Sequence, residues 1–388
     1  LALSGHGLRI ALVESVAPGD ERQPSFDDRT TALGNATQTM LATIGVWPAL
    51  ESEAAAIRAI HVSEAGRFGV ARLDAAEQGI DAFGYVVTNR SLGRALWAQL
   101  AQANDIVRLM PARAVWNGAG DDDARLSIEP VGRGGPPPQL LRARLVVGAD
   151  GADSALRAAL GFDAQTVDYR QVAVIANVAT DRPHEGIAHE RFTPSGPIAL
   201  LPLAGDARGL VWALEPAHAE RRLRAADEEF LRALQREFGW RAGRFERVGR
   251  RAAYPLALQR ATSSAARRCV LIGNAAQALH PIAGQGFNLG MRDAALLAEI
   301  VLESRADCGA PAALERFEDA RRADRAGVVR FTDGLVRLFA DARPGMGLAR
   351  SAGLLLFDLL PPAKAALARL SWGWDRATPK LTRGAKLR

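Results

Sequence analysis

Residues 271–294 read LIGNAAQALHPIAGQGFNLGMRDA, an apolar strand that runs into a Gly-Asn turn, then a proline, then glycines at 284, 286 and 290 around the start of a helix. Few folds use so many small residues at one strand-to-helix junction. Glycine permits left-handed backbone and close approach by another group, and the first turn of a helix offers unpaired N–H groups along its axis. Gly273 lets a ligand come against the backbone, Asn274 can donate and accept hydrogen bonds, and Pro281 stiffens the turn. Gly284, Gln285, Gly286 and Asn288 then open the helix. The alternative reading is a purely structural glycine-rich turn.

A flavin, whose N1–C2=O edge becomes negative on reduction, would be stabilised at such a terminus by the helix dipole. Three apolar runs, RIALVES, RLVVGAD and CVLIGNA, each lead into polar or glycine-rich turns, as parallel strands of a nucleotide-binding α/β domain do. Glu14 closes the first run, either placed for ribose hydroxyls or as a surface acid ending a strand. In VVGADGADSALRAALG, Asp150 and Gly151 end a strand, and Ser154 and Arg157 begin a helix. The pair either brings backbone close to a ligand or leaves Asp150 as a helix cap. His280 is a candidate catalytic group able to tune or accept a phenol proton, or a histidine packed before a proline. No cluster with metal-ligand spacing and no nucleophile elbow is present in the sequence.

Stretches of different texture lie between these runs. Residues 57–87 and 171–214 alternate and turn like antiparallel strands, so a second, sheet-based domain is expected to be inserted in two pieces. The expected division is a discontinuous Rossmann-like domain over 1–58, 88–165 and 259–310, a substrate domain over 59–87 and 166–258, and a helical region over 311–388. Residues 218–239 carry Leu223, Phe230, Leu231 and Leu234 at helical spacing, which predicts one amphipathic helix.

The chain has 388 residues, 48% hydrophobic and 24% charged, and its formal charge is +6. Arginine is scattered and forms no basic stripe, which argues against nucleic acid. No apolar run reaches the roughly 18 residues of a membrane span. Two distant cysteines, Cys269 and Cys308, support neither a disulfide framework nor a zinc site, and the expected location is cytoplasmic. The apolar stretch Leu354 to Leu360 is either a peripheral membrane contact, on the inner face, or a helix packed on the core.

In register, FDDRTTALGNATQTMLATIGVW, GYVVTNRSLGRALWAQL, VVGADGADSALR, GPIALLPL and GNAAQALHPIAGQGFNLGMRDA resemble the single-component FAD-dependent aromatic hydroxylases of the para-hydroxybenzoate hydroxylase fold. Within that family they resemble the ubiquinone-biosynthesis branch, on the side of the 2-octaprenyl-6-methoxyphenol hydroxylases. The resemblance implies an α/β fold: a Rossmann-like FAD-binding domain, an inserted antiparallel-sheet domain and C-terminal helices. It also implies that the family's first strand and GxGxxG loop would lie before residue 1, the chain being read as truncated. FAD is the implied cofactor, with NAD(P)H as a transient reductant. O₂ adding at flavin C4a would hydroxylate the ring of a polyprenyl phenol.

By the same resemblance Glu14 contacts the adenosine ribose, Arg29 lies near the pyrophosphate, and Asn89 is a further FAD contact. Asp150 and Gly151 support FAD, and the 273–288 run holds the ribityl chain and ring. Phe192 and the strand bearing Leu200 and Pro202 line the substrate cavity. Two positions depart from the family pattern: Asn274 replaces an aspartate, and Gln277 replaces a histidine three residues later. The alternatives kept open are a hydroxylase of small soluble phenols and a flavin-free accessory subunit of a ubiquinone-synthesis complex.

Overall fold

The computed structural model describes residues 1–18, 20, 29–132, 136–280, 282–341, 343–372 and 378–387. Its largest sheet has nine strands, in the order Gln277–Ala278, Ala252–Ala261, Ala164–Thr180, Ala207–Leu214, Gly196–Pro202, Ile187–Thr193, Ala59–Glu64 and Val70–Asp74, with Phe245–Val248 also paired to Ala164–Thr180. The two alternating stretches of sequence therefore meet in one sheet. They join where Ile187–Thr193 runs parallel to Ala59–Glu64, His189 opposite His61.

Strict alternation along Gly196–Pro202 gives this sheet two faces. On one, Val174, Ile198, Leu200, Leu210 and Trp212 pack against Phe230, Leu234 and Phe238. Those three phenylalanine and leucine side chains belong to the second of two helices that stand where one was expected, Pro216–Arg224 and Asp227–Phe238. The break has a visible cause. Arg251 donates through Nη1 to the carbonyls of Arg222 (3.0 Å) and Ala225 (2.7 Å) and through Nη2 to Asp227 (2.9 Å). It thereby caps the end of the first helix and anchors the start of the second.

The opposite face carries Phe192, Ala199 and Leu201 and is covered by C-terminal helices. Phe192 stacks on Phe339 of the Pro311–Ala340 helix, with centroids 3.4 Å apart and rings 6° from parallel. Arg350 of the Met346–Asp358 helix binds Glu64 at 2.6 Å. Close packing explains Gly69, where a Cβ would lie 2.6 Å from the Ser351 backbone.

The remaining strands include two parallel pairs, Ile10–Val13 with Ile106–Leu109 and Val146–Gly148 with Cys269–Leu271. Among the described residues no pairing joins one pair to the other. After Cys269–Leu271 the chain makes the Gly273–Ala275 turn and enters the Gln285–Glu303 helix.

A buried charge cluster locks this junction. Asp293 is fully buried; its carboxylate accepts from Gly273 N–H (3.1 Å), Gln277 Nε2 (2.8 Å) and Arg321 Nε (2.6 Å), with Arg325 Nη2 at 3.4 Å. Arg321 and Arg292 also share Asp324. Burial alone would raise the Asp324 carboxyl; the two guanidiniums outweigh it and hold the group below the usual carboxylate range. Asp293→Ala would leave Arg321 and Arg325 buried without their shared anion, at a cost of about 3–5 kcal/mol. A urea titration should show this as a lowered midpoint, and a midpoint within error of the parent would exclude the cluster as a main support.

Candidate flavin and substrate site

The glycine-rich junction is built by contact as well as by conformation. Gly273 has φ 57° and Gly284 has φ 60°, left-handed values that favour glycine. A Cβ on Gly290 would lie 3.1 Å from the Gly273 Cα, and one on Gly284 would lie 3.2 Å from the Ala32 Cβ. The helix is thus pressed against both the turn and the Thr30–Gly34 strand. By contrast, among the described residues a Cβ on Gly151, Gly273 or Gly286 meets nothing within 4 Å.

The two residues that set this sequence apart in the turn have different fates. Gln277 is buried and spends its amide N–H on Asp293. Asn274 is exposed and, among the described residues, its side chain has no hydrogen-bond partner. The first is part of the scaffold; the second leaves its donor and acceptor open to solvent.

Asn288 resembles Gln277 in this respect. Its Oδ1 accepts from Gly34 N–H (2.8 Å) and Thr37 Oγ1 (2.7 Å), and its Nδ2 donates to the carbonyls of Ala32 and Gly284 (both 2.9 Å). Two acceptor and two donor sites are the whole capacity of an amide, so Asn288 fastens the helix start to the neighbouring strand and helix. Gln285 is buried in the same turn. Pro281 lies outside the described residues.

His280 is 2% exposed. Its Nδ1 accepts from Ile282 N–H (3.2 Å), which leaves Nε2 to donate to Gln171 Oε1 (3.3 Å). The ring meets Tyr169 edge-on at 5.1 Å. Burial pulls the imidazole down to about 4, so it is neutral at physiological pH and links Ile282 to Gln171.

The Asp150–Gly151 segment is tied to this junction by a residue already noted in the sequence. Arg157, buried, donates through Nη1 to the Ala275 carbonyl (3.0 Å) and through Nη2 to the Ala152 carbonyl (2.6 Å). Gly151 has φ 85°. Asp150 accepts from Ser154 Oγ (2.5 Å) and Leu156 N–H (3.1 Å), so its carboxylate serves the start of the short Ala155–Ala159 helix. Glu14 likewise binds its own turn, accepting from Val16 N–H at 3.0 Å. Arg29 lies over the Tyr254 ring at 4.7 Å, and its carbonyl accepts from Asn89 N–H at 2.8 Å. Asn89 Oδ1 in turn accepts from Thr31 Oγ1 at 2.7 Å, so Arg29, Thr31 and Asn89 form one cluster.

The substrate positions divide between faces. Phe192 lies on the helix-covered face, opposite Pro197. Leu200, fully buried, faces the Asp227–Phe238 helix with Trp212 and Phe230, and Pro202 shares its face by alternation. Ala199 and Leu201 are the positions of that strand turned the other way.

Glu190 is the group that sequence reading missed. It is paired with Ala199 across the strands and shares the face of Phe192. Among the described residues its carboxylate has no hydrogen-bond or ion-pair partner, and burial pushes it up to about 7. Its trace in the sequence is faint: in IAHERFT the other polar side chains beside it, His189 and Arg191, fall on the opposite face.

The comparisons with known proteins agree with this geometry. The family described as "FAD binding domain" matches residues 1–332, and the chain belongs to that family. It is 35% identical to the ubiquinone hydroxylase UbiL of Rhodospirillum rubrum over 393 residues, covering 100% of this chain and 90% of that protein. It is 30% identical to the 3-demethoxyubiquinol 3-hydroxylase of Escherichia coli K12, covering 92% and 90%. Among solved structures, the p-nitrophenol 4-monooxygenase PnpA of Pseudomonas putida superposes with a TM-score of 0.77 at 19% identity, over 95% of this chain and 92% of that one. The α/β class expected from the sequence is the fold observed.

The Glu190 carboxyl stabilises the fold fully below its ordinary value of 4.5, and that contribution is lost as pH rises through about 7. Glu190→Gln should therefore flatten the dependence of Tm on pH between those values relative to the parent. Parallel curves for the two proteins would show that the carboxyl is not held in the apolar setting described.

Proposed function

We propose that this FAD-binding chain hydroxylates the aromatic ring of a polyprenyl phenol in ubiquinone biosynthesis. The observation that carries the proposal is the exposed Asn274, its side chain without a hydrogen-bond partner among the described residues, between Gly273 and the N-terminus of a 19-residue helix. The residues fit a flat ring system with a hydroxylated side chain, and the relatives named above support the substrate class. FAD, reduced and supplied with O₂, contributes the oxygen-transfer chemistry.

The protein's part is binding, orientation and exclusion of water. Asn274 would hydrogen-bond a ribityl hydroxyl, and the start of the Gln285–Glu303 helix would stabilise negative charge on the ring edge. Asn288, Gln277 and His280 keep the loop in place without touching the ligand. Phe192 and Phe339 form an apolar wall on the substrate face, and Glu190 presents there a carboxyl that titrates near neutrality, suited to accept a hydrogen bond from a phenol.

Purified protein should show flavin absorbance in the visible and incorporate one ¹⁸O atom from ¹⁸O₂ into a prenylated phenol when a reductant is supplied. A colourless protein that cannot be reconstituted with FAD would defeat this reading and favour a flavin-free accessory role.

A prenylated substrate resides in a bilayer, and one feature suits collection from it. The Met346–Asp358 and Pro361–Ala368 segments meet at 91°, and the corner exposes Leu356 (59%), Leu359 (75%) and Leu360 (43%). Phe357 and Leu367 turn inward onto the core. Among the described residues no single helix is long and apolar enough to cross a membrane; the exposed leucines support reading the corner as a surface that rests at the interface. The double substitution Leu356→Glu and Leu359→Glu should abolish co-sedimentation with liposomes while leaving Tm unchanged. Sedimentation equal to the parent's would remove the corner from the docking surface.

A further inference from the structure

A cavity of about 580 Å³ opens on the other face of the large sheet, beyond the end of the Asp227–Phe238 helix. It is lined by four arginines, Arg72, Arg182, Arg208 and Arg241, and by His61 and His189, with Glu185 as the one carboxylate of the lining. His189 and His61 are cross-strand neighbours on that face, their rings 5.3 Å apart, and His189 also meets Phe238. The cavity thus lies across the sheet from Phe192 and Glu190, outside the site assigned to flavin and phenol. We propose that it binds a phosphate group.

The arginines carry the argument. Elsewhere in the protein the buried guanidiniums of Arg268, Arg292, Arg321 and Arg325 each reach an aspartate, and that of Arg157 is taken up by two backbone carbonyls. Arg208, 2% exposed, reaches no aspartate. Its Nε donates to Thr180 Oγ1 (3.1 Å) and its Nη2 to the carbonyls of Arg182 (3.3 Å) and Pro183 (3.1 Å), while Nη1 is buried without a partner. Asp206 and Glu185 act on it only through space. A buried cation without a counter-ion is costly, and this one is joined by three more that face solvent. Among the described residues, the guanidiniums of Arg72, Arg182 and Arg241 form no hydrogen bond or ion pair.

The surroundings register the excess charge. Burial first, then neighbouring positive groups, draw His189 down to about 3, and His61 is lowered for the same reasons, Arg72 and Arg241 acting against the partial offset of Asp74 and Asp358. The guanidiniums are the fixed cations of the cavity, which His184 also lines. Guanidinium forks match phosphate oxygens in geometry and bind them by charge-assisted pairs. The concave shape and volume suit a small phosphorylated group; the grooves of nucleic-acid binders are longer and lined with cations in series.

A phosphate could be offered free in solution or as a lipid headgroup. The backbone N–H of Arg72 binds Asp358 at 2.7 Å, which places the cavity's edge strand beside the leucine corner. The test distinguishes the sources. Flavin-loaded full-length protein is titrated with inorganic pyrophosphate by calorimetry at fixed ionic strength, with chloride as control, and separately with vesicles with and without phosphatidic acid. Saturable binding of either probe, weakened about tenfold or more by Arg182→Ala and by Arg241→Ala, supports the site; these arginines are exposed, and unchanged Tm values would show that the fold is intact. Pyrophosphate binding identifies a soluble phosphate, and binding of phosphatidic acid vesicles alone identifies a headgroup. Binding that chloride reproduces, that the two substitutions leave unchanged, or that is absent with both probes overturns the proposal.

Discussion

The junction at the heart of this protein depends on one buried carboxylate. Asp293 holds the N–H of Gly273 and the amide of Gln277 on one side and two arginines of the long C-terminal helix on the other. A charge with no exposure is tolerated because four donors or cations surround it. In consequence, the Gly273–Ala275 turn and the Pro311–Ala340 helix are fixed relative to each other. Arg157 adds the Ala152 segment to the same assembly through two carbonyls, and Asn288 adds the Thr30–Gly34 strand and the start of the next helix. The backbone of the glycine-rich junction is thereby held by side chains that are themselves used up in the scaffold.

The large sheet separates two chemistries. One face is closed by the paired amphipathic helices and ends in a cavity crowded with arginine; the other is closed by the C-terminal helices and carries aromatic rings with a lone carboxyl. The period of two in a β-strand makes this possible. In Ile187–Thr193 alone, His189 and Arg191 serve one side while Glu190 and Phe192 serve the other.

Much of this was legible in the sequence, and the limits are instructive. Short apolar runs leading into glycine turns marked the strands Ile10–Val13, Val146–Gly148 and Cys269–Leu271 because that pattern is local. The family resemblance marked Asn274 and Gln277 as a pair of departures. Their opposite roles were hidden, since burial of Gln277 depends on Asp293 and Arg321, sixteen and more residues away. The strand holding Leu200 was recognised, but which of its faces met which layer was set by cross-strand register and by the Asp227–Phe238 helix. Periodicity likewise suggested one helix over 218–239, because the cap that divides it comes from Arg251, outside the segment. Asp150 and Glu14 were read with two meanings each; their carboxylates are seen engaged with their own turns.

The parallel pairing of Ala59–Glu64 with Ile187–Thr193 has a kinetic consequence. Ser63 meets Arg191 across 128 positions of chain, and the first strand has only Val70–Asp74 as a local partner. Contacts of such separation are entropically expensive to form and slow a fold that relies on them. During synthesis the early hairpin must wait, one edge unpaired, until more than a hundred further residues have emerged. The sheet's assembly is therefore a late event, and the hairpin edge is the surface most exposed to mispairing before it closes.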